Sequence, residues 1–207
     1  MSRPRVSQEV RRHRMRQRLL EAAIGCLEEK GYSETTVTEV QERAGVARGT
    51  LLHHFPAKAQ LMVAATEHLV LDRVEQFRAA ASAIPDEADR LQAVVDLAWT
   101  DLAGPSFFTA LELWVAARTD DELRAALLPA QKRLFGALHN VLFEVLTPQL
   151  GDDPRTATLV ELTIDTLTGL AITTMLGERT TSPETLLRRW KRALAVLLGE
   201  RSADDWL

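Results

Sequence analysis

Cys26 is the single cysteine among 207 residues, which rules out an internal disulfide and makes a reducing compartment the expectation. No apolar run reaches the ~18–20 residues that cross a bilayer as a helix. The basic N-terminus lacks the apolar stretch of a signal peptide, so the expected location is the cytoplasm, with no membrane partner. Also missing are a nucleophile spaced to meet a base, a glycine-rich phosphate loop, and a His/Cys/Asp/Glu cluster with metal-ligand spacing. A helical enzyme therefore has no support, and neither a cofactor nor a metal is expected. There is no internal repeat, no low-complexity linker and hardly any strand-like alternation.

What is present is an ordinary globular composition, 46% hydrophobic and 26% charged, with a lopsided charge distribution. Residues 1–60 carry 11 Lys/Arg against 7 Asp/Glu, whereas residues 61–207 carry 14 against 22. Seven arginines (Arg3, Arg5, Arg11, Arg12, Arg14, Arg16 and Arg18) fall in the first 20 residues beside one acid, Glu9. Such asymmetry suits an N-terminal part that faces a polyanion and an acidic remainder that does not.

Periodicity near 3.6 residues recurs along the chain and predicts an all-α fold of about nine or ten helices: 10–30, 37–44, 47–54, 57–80, 87–103, 106–118, 120–147, 155–177 and 183–199. Gly31 stops the first. Thr36 with Glu39, and Thr119 with Glu122, read as capping boxes. Asp153 before Pro154, and Ser182 before Pro183, place a capping side chain ahead of a first-turn proline. Four segments follow: a mobile basic arm at 1–9, a small helical head at 10–56, a larger helical domain at 57–200, and a C-terminal tail at 201–207.

The segment AGVARGTLLHHF, Ala44 to Phe55, carries the chemistry. Val37, Val40 and Ala44 share one face of a short helix, and Gly45 and Val46 turn the chain. Ala47 and Leu51 point inward from the next helix, with Phe55 packing back on the first. Two short helices joined by a glycine turn form the helix-turn-helix pattern. Arg48, Gly49, Leu52 and His53 then face outward, where Arg48 suits a guanine edge. Lys58, in the first turn of the next helix, opposes the helix dipole unless an anion docks there, and the Thr36 cap is a second place for a phosphate oxygen. His53 and His54 make a poor metal pair, since adjacent residues do not share a helix face. Arg3 and Arg5, on a flexible end, suit a minor-groove reach.

Residues 35–61, TTVTEVQERAGVARGTLLHHFPAKAQL, resemble the DNA-binding signature of the TetR-type one-component regulators, and the likeness covers 12–61 closely. The resemblance implies a homodimer with two helix-turn-helix heads, a helical ligand-binding domain and, usually, repression. It also implies phosphate contacts from Thr36, His53 and Lys58, with Ala47 to His53 as recognition helix and Arg48 and Thr50 nearest the bases. Two positions depart from the pattern. Leu52 stands where the family usually has a phosphate-touching tyrosine and is placed to meet a thymine methyl instead. Ala47 replaces the usual serine cap, which weakens that helix end by ~1 kcal/mol.

The remaining helices have wide apolar faces. Trp99, Phe107, Phe108, Leu111, Trp114, Phe135 and Phe143 fit the lining of an apolar pocket, although each by itself reads equally well as core. Glu112, Asp96, His139, Asp165 and Thr168 could each orient a ligand or lie on a surface. The expected effector is a small hydrophobic or aromatic molecule. The dimer is expected through helices 120–147 and 155–177, on stripes including Leu127, Leu134, Leu138, Val141 and Val145, and Ile164, Thr168, Ala171 and Met175. Cys26 reads as a packed thiol rather than a redox sensor. These features predict a ligand-responsive repressor released from a palindromic operator by its effector. A DNA-binding regulator without a small ligand is the alternative.

Overall fold

The computed structural model describes residues 8–85, 89–150, 154–175, 177 and 180–198. Among them are nine helices and no strand: α1 (Gln8–Glu34), α2 (Val37–Ala44), α3 (Arg48–His54), α4 (Lys58–Ser82), α5 (Arg90–Leu102), α6 (Pro105–Ala116), α7 (Asp121–Leu150), α8 (Thr156–Thr174) and α9 (Pro183–Leu197). The all-α expectation holds.

Local chemistry explains most boundaries. Gly31 breaks α1 at φ 73° and ψ 177°, backbone that only glycine adopts without strain. The Thr36 capping box is formed: its hydroxyl accepts the Glu39 N–H at 3.2 Å, and its own N–H donates to Glu39 Oε2 at 2.9 Å. Ser182 caps α9 by accepting the Thr185 N–H at 3.3 Å, with Pro183 in the first turn. The expected cap at Thr119 is displaced by one residue. Asp120 Oδ1 accepts the Leu123 N–H at 2.9 Å, while the Thr119 hydroxyl turns back to the Ala116 carbonyl. A carboxylate placed next to the first turn is the better partner for the positive helix end. The expected cap at Asp153 lies outside the described residues, as does the tail.

The chain forms two compact units, one of residues 1–72 with 105–134, the other of 73–104 with 135–207. The core of the first is made by Leu19, Ala23 and Leu27 of α1, Val40 of α2, Leu51 of α3, Leu61 and Met62 of α4, Leu113 of α6, and Leu123 and Leu127 of α7. Each fully buried leucine contributes about 1.5–3 kcal/mol relative to an exposed one. Cys26 is buried in this core, its sulfur 3.8 Å from Arg43 Nη1.

In the second unit Val94, Val95 and Ala98 of α5, Val141 and Leu142 of α7, Val160, Leu167 and Ala171 of α8, and Leu187 and Leu194 of α9 are buried. Ion pairs join Arg73 to Asp101, Arg78 to Glu144, and Lys191 to Asp96. The stripes expected to meet a second subunit belong largely to the chain's own core. Leu127, Leu134, Val141, Val145, Ile164 and Ala171 are all buried within the protomer. Leu138 and Thr168 are half-buried, while Met175 and the small Gly169 and Thr173, also expected at that contact, are exposed. A core stripe and an interface stripe have the same periodicity, so spacing could not separate them.

Candidate nucleic-acid interface

The outward face of the head is produced by two helix ends. At the end of α2, Gly45 sits at φ 61° and ψ 44°. The Val46 N–H donates to the Gln41 carbonyl at 3.2 Å, and the Gly45 N–H to that of Glu42 at 3.0 Å. This closes a Schellman motif, and its left-handed residue suits glycine because a Cβ there costs roughly 1–2 kcal/mol. The helix after it starts without a side-chain cap, as expected of Ala47: the Thr50 and Leu51 N–H groups donate to its carbonyl at 2.9 and 3.3 Å. Ala47 is exposed, however, not inward-facing beside Leu51. It precedes the helix in extended backbone (φ −71°, ψ 146°), so the helical phase does not reach it.

Beneath the face, Leu51 and Phe55 are buried, and the Arg16 guanidinium lies 4.5 Å above the Phe55 ring. On the face, Arg48, Gly49, Leu52 and His53 are exposed, while Thr50 and His54 are half-buried. The His54 imidazole is held below its ordinary pKa by burial first, and then by the positive neighbours His53, Arg12 and Arg16. Arg11, Arg12, Arg14 and Arg18 are exposed as well. Charge counting along the sequence placed these arginines in an N-terminal run, and did not join them to the α3 face. Arg3 and Arg5 lie outside the described residues.

Thr36 and Lys58 have partners within the protein. Besides the capping box, the Thr36 hydroxyl donates to Glu39 Oε2 at 2.9 Å, and Glu39 pairs with Lys30. The bond from Lys30, with the Thr36 amide and hydroxyl, lowers the Glu39 pKa to about 2. Lys58 Nζ donates to the Tyr32 carbonyl at 3.0 Å and sits 4.5 Å from the Tyr32 ring centre. The cation opposing the start of α4 is therefore accounted for by the broken end of α1.

Tyr32 is the residue that sequence reasoning missed. Its N–H donates to Glu112 Oε1 at 2.9 Å, and its hydroxyl to Asp120 Oδ2 at 3.1 Å. Burial, with the Asp120 carboxylate, raises the phenol pKa to about 12. A Cβ on Gly31 would lie 2.3 Å from Glu112 Oε1, so the glycine leaves room for the carboxylate as well as for the turn. Glu112, expected to orient a ligand, is committed to this joint between α1 and α6. Nothing local could have paired residues about 80 apart in the chain.

The other expected ligand residues divide between the units. In the first, Phe107 and Phe108 are half-buried and meet edge to face at 5.5 Å. Leu111 is also half-buried, and Trp114 lines an open groove of about 480 Å³ with Leu127, Leu128, Arg118 and Arg124. In the second unit, Trp99 and Thr168 are half-buried, His139 stacks on Phe143 at 6.1 Å, and Phe135 is exposed. Asp165 is exposed, as is Asp96, which pairs with Lys191 at 2.5 Å. A second groove of about 470 Å³ runs between Gly169 and Thr173 of α8 and Leu186 and Trp190 of α9. Among the described residues, no three His, Cys, Asp or Glu side chains gather as metal ligands would.

A short helix held outward on a glycine turn, with arginine and histidine on its open face, defines a helix-turn-helix protein that binds DNA. The family model described as "Bacterial regulatory proteins, tetR family" matches residues 19–65. The HTH-type transcriptional regulator CymR of Pseudomonas putida is 31% identical over 172 residues, 83% of this chain and 85% of that one. The chain belongs to the tetR family and is a transcriptional regulator. Its fold is similar to that of the transcriptional regulator FadR from Bacillus subtilis, solved in complex with stearoyl-CoA (TM-score 0.61, 18% identity, covering 90% of this chain and 99% of that one). A regulator from Rhodococcus sp. Rha1 is also similar (TM-score 0.64, 23% identity, covering 89% and 96%). No helix among the described residues is long and apolar enough to cross a membrane.

Proposed function

We propose that this regulator is a ligand-responsive repressor, binding a palindromic operator as a homodimer and leaving it when a small apolar or aromatic effector binds. The observation that carries the DNA half of this reading is the exposed α3 face, with Arg48 and His53 turned out and Leu51 anchoring the opposite side. In this reading Arg48 and Thr50 lie nearest the bases, with Ala47, Gly49 and Leu52 beside them. His53, Thr36 and Lys58 contact phosphates, Arg3 and Arg5 reach the minor groove, and residues 57–200 serve the effector and the dimer.

Two-fold symmetry lets two recognition helices about 34–36 Å apart read one palindrome. The dimer is assigned to α7 and α8, supported by the exposure of Phe135, Phe143, Leu162, Ile172 and Met175. The apolar effector is supported by the half-buried Phe107, Phe108, Leu111 and Trp114, and by the complex of the similar FadR with stearoyl-CoA. Reversing a 1:99 population takes about 5.5 kcal/mol of differential binding.

The test is a salt titration of binding to duplexes selected from a random pool by the full-length protein, repeated with a panel of apolar and aromatic compounds. A steep loss of affinity with salt and release by at least one compound are expected. Duplex binding that no compound alters removes the effector from the reading, and the absence of salt-sensitive duplex binding removes the operator.

A further inference from the structure

Leu52 and Gly49 are a poor choice of residues for the face they occupy. Leu52 is 39% exposed, a large apolar side chain facing solvent on a helix of only seven residues. Gly49, three positions earlier and so on the same side, is the weakest helix former after proline. A Cβ added at Gly49 would meet nothing within 4 Å, so no contact inside the protein requires its absence. Gly49 weakens the helix without serving a contact inside the chain, and Leu52 leaves part of a large apolar side chain open beside it, which points to a body that comes close and covers them.

The surroundings identify that body by charge. Arg48 precedes Leu52 by one turn and His53 follows it, both exposed, and the cations of Arg12 and Arg16 act on neighbouring His54. An apolar protein partner would have to bury these charges without counter-ions, whereas a duplex supplies phosphates around a groove floor. The apolar group on the major-groove floor is the C5 methyl of thymine, and aliphatic side chains read it by contact.

We infer that Leu52 is a specificity-determining residue which packs on a thymine methyl in each operator half-site, and that Gly49 is kept small so that the groove floor can approach. This rests on the operator reading above and adds a named base to it. Leu52 then supplies sequence selection where the family's usual tyrosine would supply a phosphate contact.

The experiment takes the duplexes selected by the full-length protein and replaces each thymine in turn by uracil, which removes one methyl and keeps the base-pair hydrogen bonds. One thymine per half-site is expected to show about a fourfold loss of affinity on replacement, the equivalent of a single buried methyl group. Leu52→Ala abolishes that discrimination, and its cooperative thermal melt shows that the variant is folded. Gly49→Ala raises the melting temperature and weakens the same duplex. Selection of a duplex in which every uracil is neutral, or in which Leu52→Ala keeps the discrimination, overturns the inference and leaves operator binding intact. Failure to select any duplex takes both readings down.

Discussion

The two units of this regulator are held together differently. In the first, helices are tied by directional bonds between distant residues: Tyr32 to Glu112 and Asp120, and Lys58 to the Tyr32 carbonyl. In the second, among the described residues, the hydroxyls of Thr100, Thr163 and Thr173 turn back to carbonyls of their own helices, and helices are linked by ion pairs, Arg78 with Glu144 at the surface and Arg73 with Asp101 and Lys191 with Asp96 part-buried. An exposed pair such as Arg78 with Glu144 is worth about 0–1 kcal/mol, and apolar packing carries most of the second unit. Directional bonds fix one arrangement, as reading DNA requires. Non-directional packing tolerates small shifts.

The strongest challenge to this contrast is Leu51→Ala. Leu51 is 1% exposed between α3 and the head core, and its truncation is expected to lower stability by about 2–5 kcal/mol. Urea denaturation would measure it, and a smaller loss would mean the head is more plastic than the packing implies.

Next comes Gly31→Ala, expected to cost about 2–4 kcal/mol from a backbone that alanine resists and from the lost Glu112 bond. Glu112→Ala, which leaves the backbone free, should recover only the smaller part of that loss. Equal losses would show that the joint rather than the backbone sets the penalty.

Thr36→Ala removes the cap of α2 and should cost about 1 kcal/mol, again by urea denaturation.

The Tyr32 phenol is tested by raising the pH. Its pKa is raised to about 12 in the folded protein from an ordinary 10. The folded state therefore holds the proton more tightly than the unfolded state. The resulting stability is complete below pH 10 and declines as pH rises through about 12. As Tyr32 is the sole tyrosine, phenolate absorbance follows this one group, and an ordinary midpoint would break the Asp120 tie.

The least effect on folding is expected from Ile172→Glu with Met175→Glu. Both side chains are exposed, so each change should move protomer stability by no more than about 0.5 kcal/mol. Sedimentation should nonetheless show monomers if α8 forms the subunit contact.

Helix positions were largely legible because capping and breaking act within a few residues. Thr36, Gly45 and Ser182 lie where their side chains or φ angles require. The shift from Thr119 to Asp120 marks the limit of such rules, since two adjacent residues can each cap and Tyr32 favours the second. Ala47 marks another, because helical phase cannot be extended past a helix end. The α3 face was readable from Arg48, Leu52 and His53. Its flank on α1 was not, because the nearness of Arg12 and Arg16 to His54 depends on how α1 crosses α3.

The amino-acid order alone determined the all-helical class, the helix-turn-helix and the side of α3 that faces out, since each follows from periodicity, caps and glycine within a dozen residues. Tertiary structure alone decided that Glu112 and Asp120 close on Tyr32, that Lys58 has a partner within the protein, and that most of the apolar stripes of α7 and α8 are core. Those outcomes depend on which helix lies against which, and an apolar stripe or a lone carboxylate carries no mark of its distant partner.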